Sequence, residues 1–368
     1  MTKREIPFFN YPYLYAEDKE NYLRIFDEVC SRGAFILQKD LEEFEDELAK
    51  FINVKHAIGM ADGTNSLMVA LWAAGIGNGD EVIVPSHTFI ASVGAIHFAG
   101  ATPVFVDIGS DHLIDPDLIE TAITAKTKAI MPVQLNGRTV NMDNITYLAQ
   151  KHSLVIIEDS AQALGSSFKG KYAGTFGLAG SFSFYPAKSL GCFGDGGALV
   201  TNDDDFAQKV KLMRDHGRAG TEVKLWGTNS RLDNLQAAIL THKLKNFPQA
   251  IQRRREIARM YEEGLSDLED LMLPPAPDSE DHHFDTFQNY EMEVGHRDEL
   301  EAHLLQQGVR TIRQWGGKAI HQFKELAIDA HLPKTEKLMS RMLLLPMNTS
   351  LKDDDVAYIV EVIRGFYK

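Results

Sequence analysis

The stretch HAIGMADGTNSLMVALWAAGIGNGDEVIVP, residues 56–85, decides the fold. It opens on a short apolar run, HAIGM (56–60), and passes a polar turn into an apolar-periodic helix near 65–74. GIGNG (75–79) then leads into a second run, EVIVP (81–85). Runs of this kind suit strands buried on both faces, and a helix between two of them is the crossover of a parallel sheet. GIGNG follows the helix and precedes the strand, the reverse of the dinucleotide-binding order. It also lacks the GxGxxG spacing, so it reads as a turn.

The alternation continues outward. Further runs are PVFVD (103–107), KAIMPV (128–133), SLVIIED (153–159), GSFSF (180–184) and GALVT (197–201), with helices expected near 90–99, 116–124, 142–152 and 203–214. The expected architecture is therefore α/β: three layers, with a mostly parallel sheet covered on both faces and its ligand beyond the carboxyl ends of the strands. Upstream, residues 18–50 read as helical, with Leu41, Phe44, Leu48 and Phe51 at helical spacing. Downstream, a long helix is expected over 231–262. LPPAPDSEDHHFD (273–285) reads as a connection, and short strand-like and helical segments follow. The expected organisation is an N-terminal arm and helix (1–51) packed on one or both domains, a large domain (52–245) and a smaller C-terminal α/β domain (250–368).

The 368 residues carry 38 Lys and Arg against 52 acids, a net charge of −14, which disfavours nucleic acid as a partner. Two cysteines, Cys30 and Cys192, make no disulfide framework and fit a reducing compartment. The opening MTKREIPFFNYPY lacks the apolar core of a signal peptide, and no run of about eighteen apolar residues occurs, so no membrane span and a cytoplasmic location are expected. His282-His283 and the run Arg253–Arg255 are expected to be solvated, and Trp72 to be core.

Four features carry chemistry. In ADGTNSL the strand runs through Gly63, Thr64 and Asn65 into a helix start, whose free N–H groups and dipole suit a phosphate; Thr64 as a simple N-cap is the plain alternative. In SLVIIEDSAQALG, Asp159 ends a strand at the crevice, where a carboxylate can keep a heteroaromatic nitrogen protonated or cap the following helix; Gln162 lies one turn on. In SFSFYPAKSLGCFGDGGALVT, Ser183 ends a strand and Lys188 sits on a glycine-rich loop, placed to form an imine with an aldehyde. Phe89 supplies an aromatic face. Together these are an anion cradle, a stacking face, a pyridinium partner and an imine-forming amine, the requirements of pyridoxal 5′-phosphate.

The stretches DGTNSL, GDEVIVPSHTFIAS, GATPVFVDI, IEDSAQALGSSFKGK, SFSFYPAKSLGCFGDGGALVTND, RDHGR and NSRLDNLQAAIL also resemble the DegT/StrS-type nucleotide-sugar aminotransferases, over nearly the whole chain. The resemblance implies the aspartate-aminotransferase-like fold type I of pyridoxal-phosphate enzymes. It implies that Lys188 bonds the cofactor, Asp159 pairs with its ring nitrogen, Phe89 stacks on the ring and Gln162 approaches the ring hydroxyl. The phosphate would lie against Gly63, Thr64, Asn65 and Ser183, with Asn229 supplied across a homodimer. The implied reaction moves an amino group from glutamate, giving 2-oxoglutarate, to a nucleotide-diphosphate keto-sugar, for amino-sugar or surface-polysaccharide biosynthesis. LGCFGDGGA leans toward the 3-keto position.

A sugar dehydratase of the same fold would carry histidine in place of Lys188. A catalytically inactive regulatory relative is opposed by the intact lysine and aspartate, and a nicotinamide oxidoreductase by the missing glycine fingerprint. Where the family often has His-Leu-Tyr-Gly, this chain has Gln134-Leu135-Asn136-Gly137-Arg138, and the segment from Gln314 to Phe323 is also distinctive.

Overall fold

The structure is a computed structural model that describes residues 4–368; the first three residues of the expected arm lie outside the described residues. A seven-stranded sheet forms its centre. From one edge its order is His56–Met60, Gly197–Thr201, Ala179–Ser183, Val155–Asp159, Thr127–Ile130, Glu81–Pro85 and Thr102–Val106. Gly197–Thr201 alone runs against the rest. The expected mostly parallel α/β sheet is thus what the chain forms, because every apolar run between 56 and 201 is a strand.

Helix Gly63–Ala73 shows why that sheet must be covered. Leu67, Val69, Ala70 and Leu71 are all buried, and the remaining face, with Met68 and Trp72, is itself partly buried. Burying each such leucine or valine is worth about 1.5–3 kcal/mol. On the other face, helix Lys39–Phe51 buries Leu41, Phe44 and Leu48, against Phe182, Phe184 and Leu232.

Two helix expectations need correction. The 18–50 stretch is two helices, Lys19–Ser31 and Lys39–Phe51, separated at Gly33, whose φ is 62°. The expected helix over 231–262 is Asn234–Leu244 followed by Phe247–Leu265. Pro248 explains the break: it has no N–H to continue a helix and restricts the residue before it, so it belongs in a first turn.

Beyond residue 270 a second sheet joins Leu271–Met272, Tyr290–Val294 and Met342–Leu345, backed by helices Phe247–Leu265, Arg297–Gln306 and Asp353–Phe366. The run Arg253–Arg255 is not a solvated face. Arg254 and Arg255 are buried, and Arg254 Nη1 donates to the carbonyls of Phe287, Gln288 and Met347, which lie outside helices and strands. His282 is exposed, but the His283 side chain is mostly buried, where His283–Phe284 pairs with Ser167–Phe168. Trp72 packs against the main core as expected. The N-terminal arm bonds the second sheet's domain through Ile6 N to Gly308 O (2.8 Å) and Arg310 N to Ile6 O (3.0 Å).

A buried charge network joins the two sheets. Glu291, 3% exposed, lies 3.3 Å from His87 Nε2 and 3.0 Å from His112 Nδ1, and His112 Nε2 is 3.3 Å from Glu293. Burial opposes charge on His112, but its hydrogen bonds to Glu291 and Glu293 overcome that and raise its pKa to about 9. Burial would likewise raise Glu291, yet the two histidines hold it well below the usual carboxylate range. The raised histidine contributes stability that is complete below its ordinary value of 6.5 and is lost as pH rises through about 9. The depressed Glu291 contributes above its ordinary 4.5 and is lost only in strong acid. Removing one partner of such a pair costs about 3–5 kcal/mol. The thermal midpoint lost on His112→Gln is therefore expected to be largest near pH 5–6 and to shrink toward pH 9.5. A loss independent of pH would show that the charge on His112 does not stabilise the fold.

Candidate active site

A cavity of about 690 Å³ opens beyond the carboxyl ends of the parallel strands. Gly63, Thr64, Asn65, Phe89, Asp159, Gln162, Ser183 and Lys188 all line it, so eight of the nine singled-out residues meet there. Asn229 does not: it is exposed, on the segment that bridges to Asp215.

The cradle begins at helix Gly63–Ala73. Its N-cap is Asp62, whose side chain accepts from Asn65 N at 2.8 Å, so Thr64 is not the cap and its hydroxyl makes no hydrogen bond among the described residues. The backbone here is pressed against its neighbours. A Cβ on Gly197 would stand 2.4 Å from Asp62 C and 2.8 Å from Gly63 N, so only glycine lets the antiparallel strand pass under the helix start.

Asp159 ends the strand Val155–Asp159 and is 5% exposed. Its Oδ2 accepts from Ser92 Oγ at 2.6 Å and its Oδ1 from Ala161 N at 3.1 Å. Ser92 donates to the acid, so Thr88 Oγ1, 2.6 Å away, must donate to Ser92. No cation lies within ion-pairing distance of Asp159 among the described residues. Burial therefore pushes its pKa up, against the pull of Ser92, Ala161 and the Lys188 charge. No helix follows it to be capped; residues 160–166 form turns. The adjacent Glu158 serves structure: Gln134 Nε2 and the backbone N–H groups of Gly174, Phe176 and Gly177 all donate to it.

The Lys188 amine, Nζ, makes no hydrogen bond or ion pair among the described residues; only the backbone N–H of this residue is bonded, to Tyr185 O at 2.8 Å. Burial lowers its pKa to about 8, with Asp159 pulling the other way. An amine so placed sheds its proton easily, which imine formation requires. Its loop is fixed from both sides by Gln288, whose Nε2 donates to Ala187 O (2.9 Å) and whose Oε1 accepts from Ser189 N.

These groups fit pyridoxal phosphate. A buried carboxylate without a cation suits a protonated ring nitrogen, and Phe89, 52% exposed, offers an uncovered face. The unspent Thr64 hydroxyl and the helix start suit a phosphate.

Sequence reading missed Ser92, Gln288 and Asn289, which also lines the cavity. Ser92 lies one turn beyond Phe89, a spacing that could have flagged it; Gln288 and Asn289 come from the irregular segment that leads into the second sheet and left no local signal. The arm, too, reaches the site through Phe8 and Phe9.

The distinctive segments also find their places. Gln134 supports Glu158, and Arg138 pairs with Asp285 and Glu280. Asn136 and Gln314 join a chain of carboxamides at the cavity wall.

Comparison with known proteins agrees with this geometry. Residues 16–364 match the DegT/DnrJ/EryC1/StrS aminotransferase family. The chain is 40% identical over 372 residues to the "Pleiotropic regulatory protein" of Geobacillus stearothermophilus, covering 99% of each. It is 38% identical over 366 residues to the dTDP-3-amino-3,4,6-trideoxy-alpha-D-glucose transaminase of Streptomyces venezuelae, covering 98% of this chain and 95% of that one. Among solved structures, S. venezuelae DesV superposes with a TM-score of 0.95 at 36% identity over 99% of both chains. With fold, cofactor groups and sequence in agreement, the chain belongs to the DegT/DnrJ/EryC1/StrS family of pyridoxal-phosphate-dependent aminotransferases.

Proposed function

We propose that the protein moves the amino group of glutamate to the 3-keto position of a nucleotide-linked sugar, releasing 2-oxoglutarate. One observation carries this reading: a buried lysine without a partner and a buried carboxylate without a cation share one cavity. Pyridoxal 5′-phosphate, when bound, supplies an aldehyde for the lysine and a ring that accepts the electron pair freed at the amino-acid carbon. Lys188 Nζ, whose pKa burial lowers to about 8, would take and carry the proton from that carbon. Asp159, oriented by Ser92, holds a positive charge on the ring nitrogen. Gly63, Thr64, Asn65 and Ser183 hold the phosphate, Phe89 covers the ring, and Gln162 approaches its hydroxyl. The intact Lys188 separates this reading from the dehydratase.

The proposed working unit is a homodimer, with Asn229 reaching the cofactor phosphate of the other subunit. Symmetric two-fold dimers are the commonest soluble assembly, and the symmetry would make both sites composite. The large unit over 52–245, the smaller one over 250–368 and the arm over 1–51 are proposed as its organisation. Asn229→Ala is expected to weaken cofactor retention in a folded chain. Mixing Asn229→Ala with Lys188→Ala subunits should restore about a quarter of all sites after random exchange. No recovery despite proven exchange, or an active monomer by light scattering, would refute the composite site. The substrate is tested by supplying glutamate with a panel of keto-sugar nucleotides and locating the new amine by NMR.

A further inference from the structure

The carboxamides at the cavity wall have a fixed orientation, anchored by one backbone group. Asn136 N donates to Gln162 Oε1 (3.2 Å), and an amide N–H can only donate, so that Gln162 atom is the oxygen. The Asn289 atom 3.1 Å from Gln162 Oε1 must then be Nδ2. The same Nδ2 reaches Asn136 Oδ1 at 2.9 Å, and Gln314 Nε2 donates to that oxygen as well. Both donor directions of Asn289 are thereby spent inside the wall. Its Oδ1 makes no hydrogen bond among the described residues, and unlike Gln314 Oε1 it is not sealed from solvent. Asn289 lines this cavity and also borders a smaller one beside His112 and Arg138, so its Oδ1 is an unspent acceptor at their shared wall.

The rest of the lining limits what that acceptor meets. Lys188 is the only Lys, Arg or His among the residues lining the cavity, and it belongs to the cofactor. Within one subunit, the residues lining this cavity offer no further counter-charge to an acidic substituent on the sugar. An oxygen held in place by two spent N–H groups repels a carboxylate and accepts from O–H or N–H.

We propose that Asn289 determines specificity for the sugar, its Oδ1 accepting a hydrogen bond from a hydroxyl or acylamino N–H of the keto-sugar. The inference rests on the nucleotide-sugar reading of the same cavity. Asn136 and Gln314 are positioning residues: they set the Asn289 amide without touching the sugar.

The test uses the holoenzyme and matched pairs of nucleotide-linked 3-keto sugars that differ by one hydroxyl or by one acylamino N–H. The wild type should prefer the donor-bearing member of one pair by roughly 10- to 100-fold in kcat/KM, the range set by leaving a built acceptor unpaired. The hydroxyl and acylamino pairs tell the two donor sources apart. In Asn289→Leu that ratio should collapse to about one. Asn289→Asp, whose neutral acid keeps one carbonyl oxygen toward the cavity and one O–H toward the wall, should retain most of the ratio below its carboxyl pKa.

Equal losses on both members in Asn289→Leu, with the ratio kept, would overturn the proposal and leave the aminotransferase reading standing. A wild type that is converted by glutamate but turns over neither member of any pair would overturn the sugar reading itself, and this proposal with it.

Discussion

Lys188→Ala is expected to lose turnover by at least about 10⁴-fold, because one group carries two duties. Proton transfer by a positioned side chain contributes about 10²–10⁴-fold, and covalent attachment of the cofactor is lost in addition. No neighbour can substitute. Among the residues lining the cavity there is no other lysine, arginine or histidine, and Asp159 is held by Ser92 and Ala161 on the far task of the ring nitrogen. The variant should fold, since Lys188 makes no hydrogen bond or ion pair whose loss would be felt, and removing a buried amine relieves its desolvation. Two measurements check this: steady-state turnover, and the visible absorbance of the bound cofactor, which should lose the band of the lysine-attached form. Addition of a small primary amine should restore part of the proton transfer. Near-native activity without added amine would show that Lys188 is not the acid–base group.

Asp159→Asn is expected to lower kcat by about a thousandfold while the cofactor still binds. A group aimed at developing charge in a water-excluded site is commonly worth about 10²–10³-fold, and here a full carboxylate is exchanged for a neutral amide. The amide keeps an oxygen for Ser92 or Ala161, so the local backbone survives. The stability readout has a definite sign. In the cofactor-free protein Asp159 is a buried carboxylate with no cation, and burial drives its pKa up. Its replacement by an amide should leave the thermal midpoint of the cofactor-free protein unchanged or raised. The midpoint gain on adding cofactor should shrink, because a ligand stabilises in proportion to its affinity for the folded state. Equal turnover by variant and parent would remove Asp159 from the ring nitrogen.

The fold was legible wherever the period of the apolar pattern changed. HAIGM, EVIVP and GALVT are strands at their expected bounds, and the others shift by one to three residues at their ends. Helix joints were harder. The residues on both sides of 245–248 favour helix, and only Asn246 and Pro248 mark the interruption. The run Arg253–Arg255 misled for a related reason: a triple basic stretch usually seeks water, but three carbonyls outside helices and strands take the Arg254 guanidinium.

At the site, the residues that would touch the cofactor are adjacent to strand ends and glycine turns, so their chemistry was readable locally. The residues that position them were not. Ser92 reaches Asp159 across 67 positions and Gln288 reaches Ala187 across 101. Such pairs leave no periodicity, because sheet order and the docking of the second sheet create them. Gln134 illustrates the same limit: it lines the cavity, but its carboxamide is spent on Glu158 and Val140 N.

The central claim is that this chain carries nitrogen from glutamate to a nucleotide-linked keto-sugar through Lys188. The most direct measurement incubates the purified holoenzyme with ¹⁵N-glutamate and a 3-keto sugar nucleotide, then follows the isotope by mass spectrometry. The predicted result is one ¹⁵N in the nucleotide sugar for each 2-oxoglutarate formed, and none with Lys188→Ala. Label appearing equally with the Lys188→Ala protein, or 2-oxoglutarate formed with no label in any sugar nucleotide supplied, would contradict it.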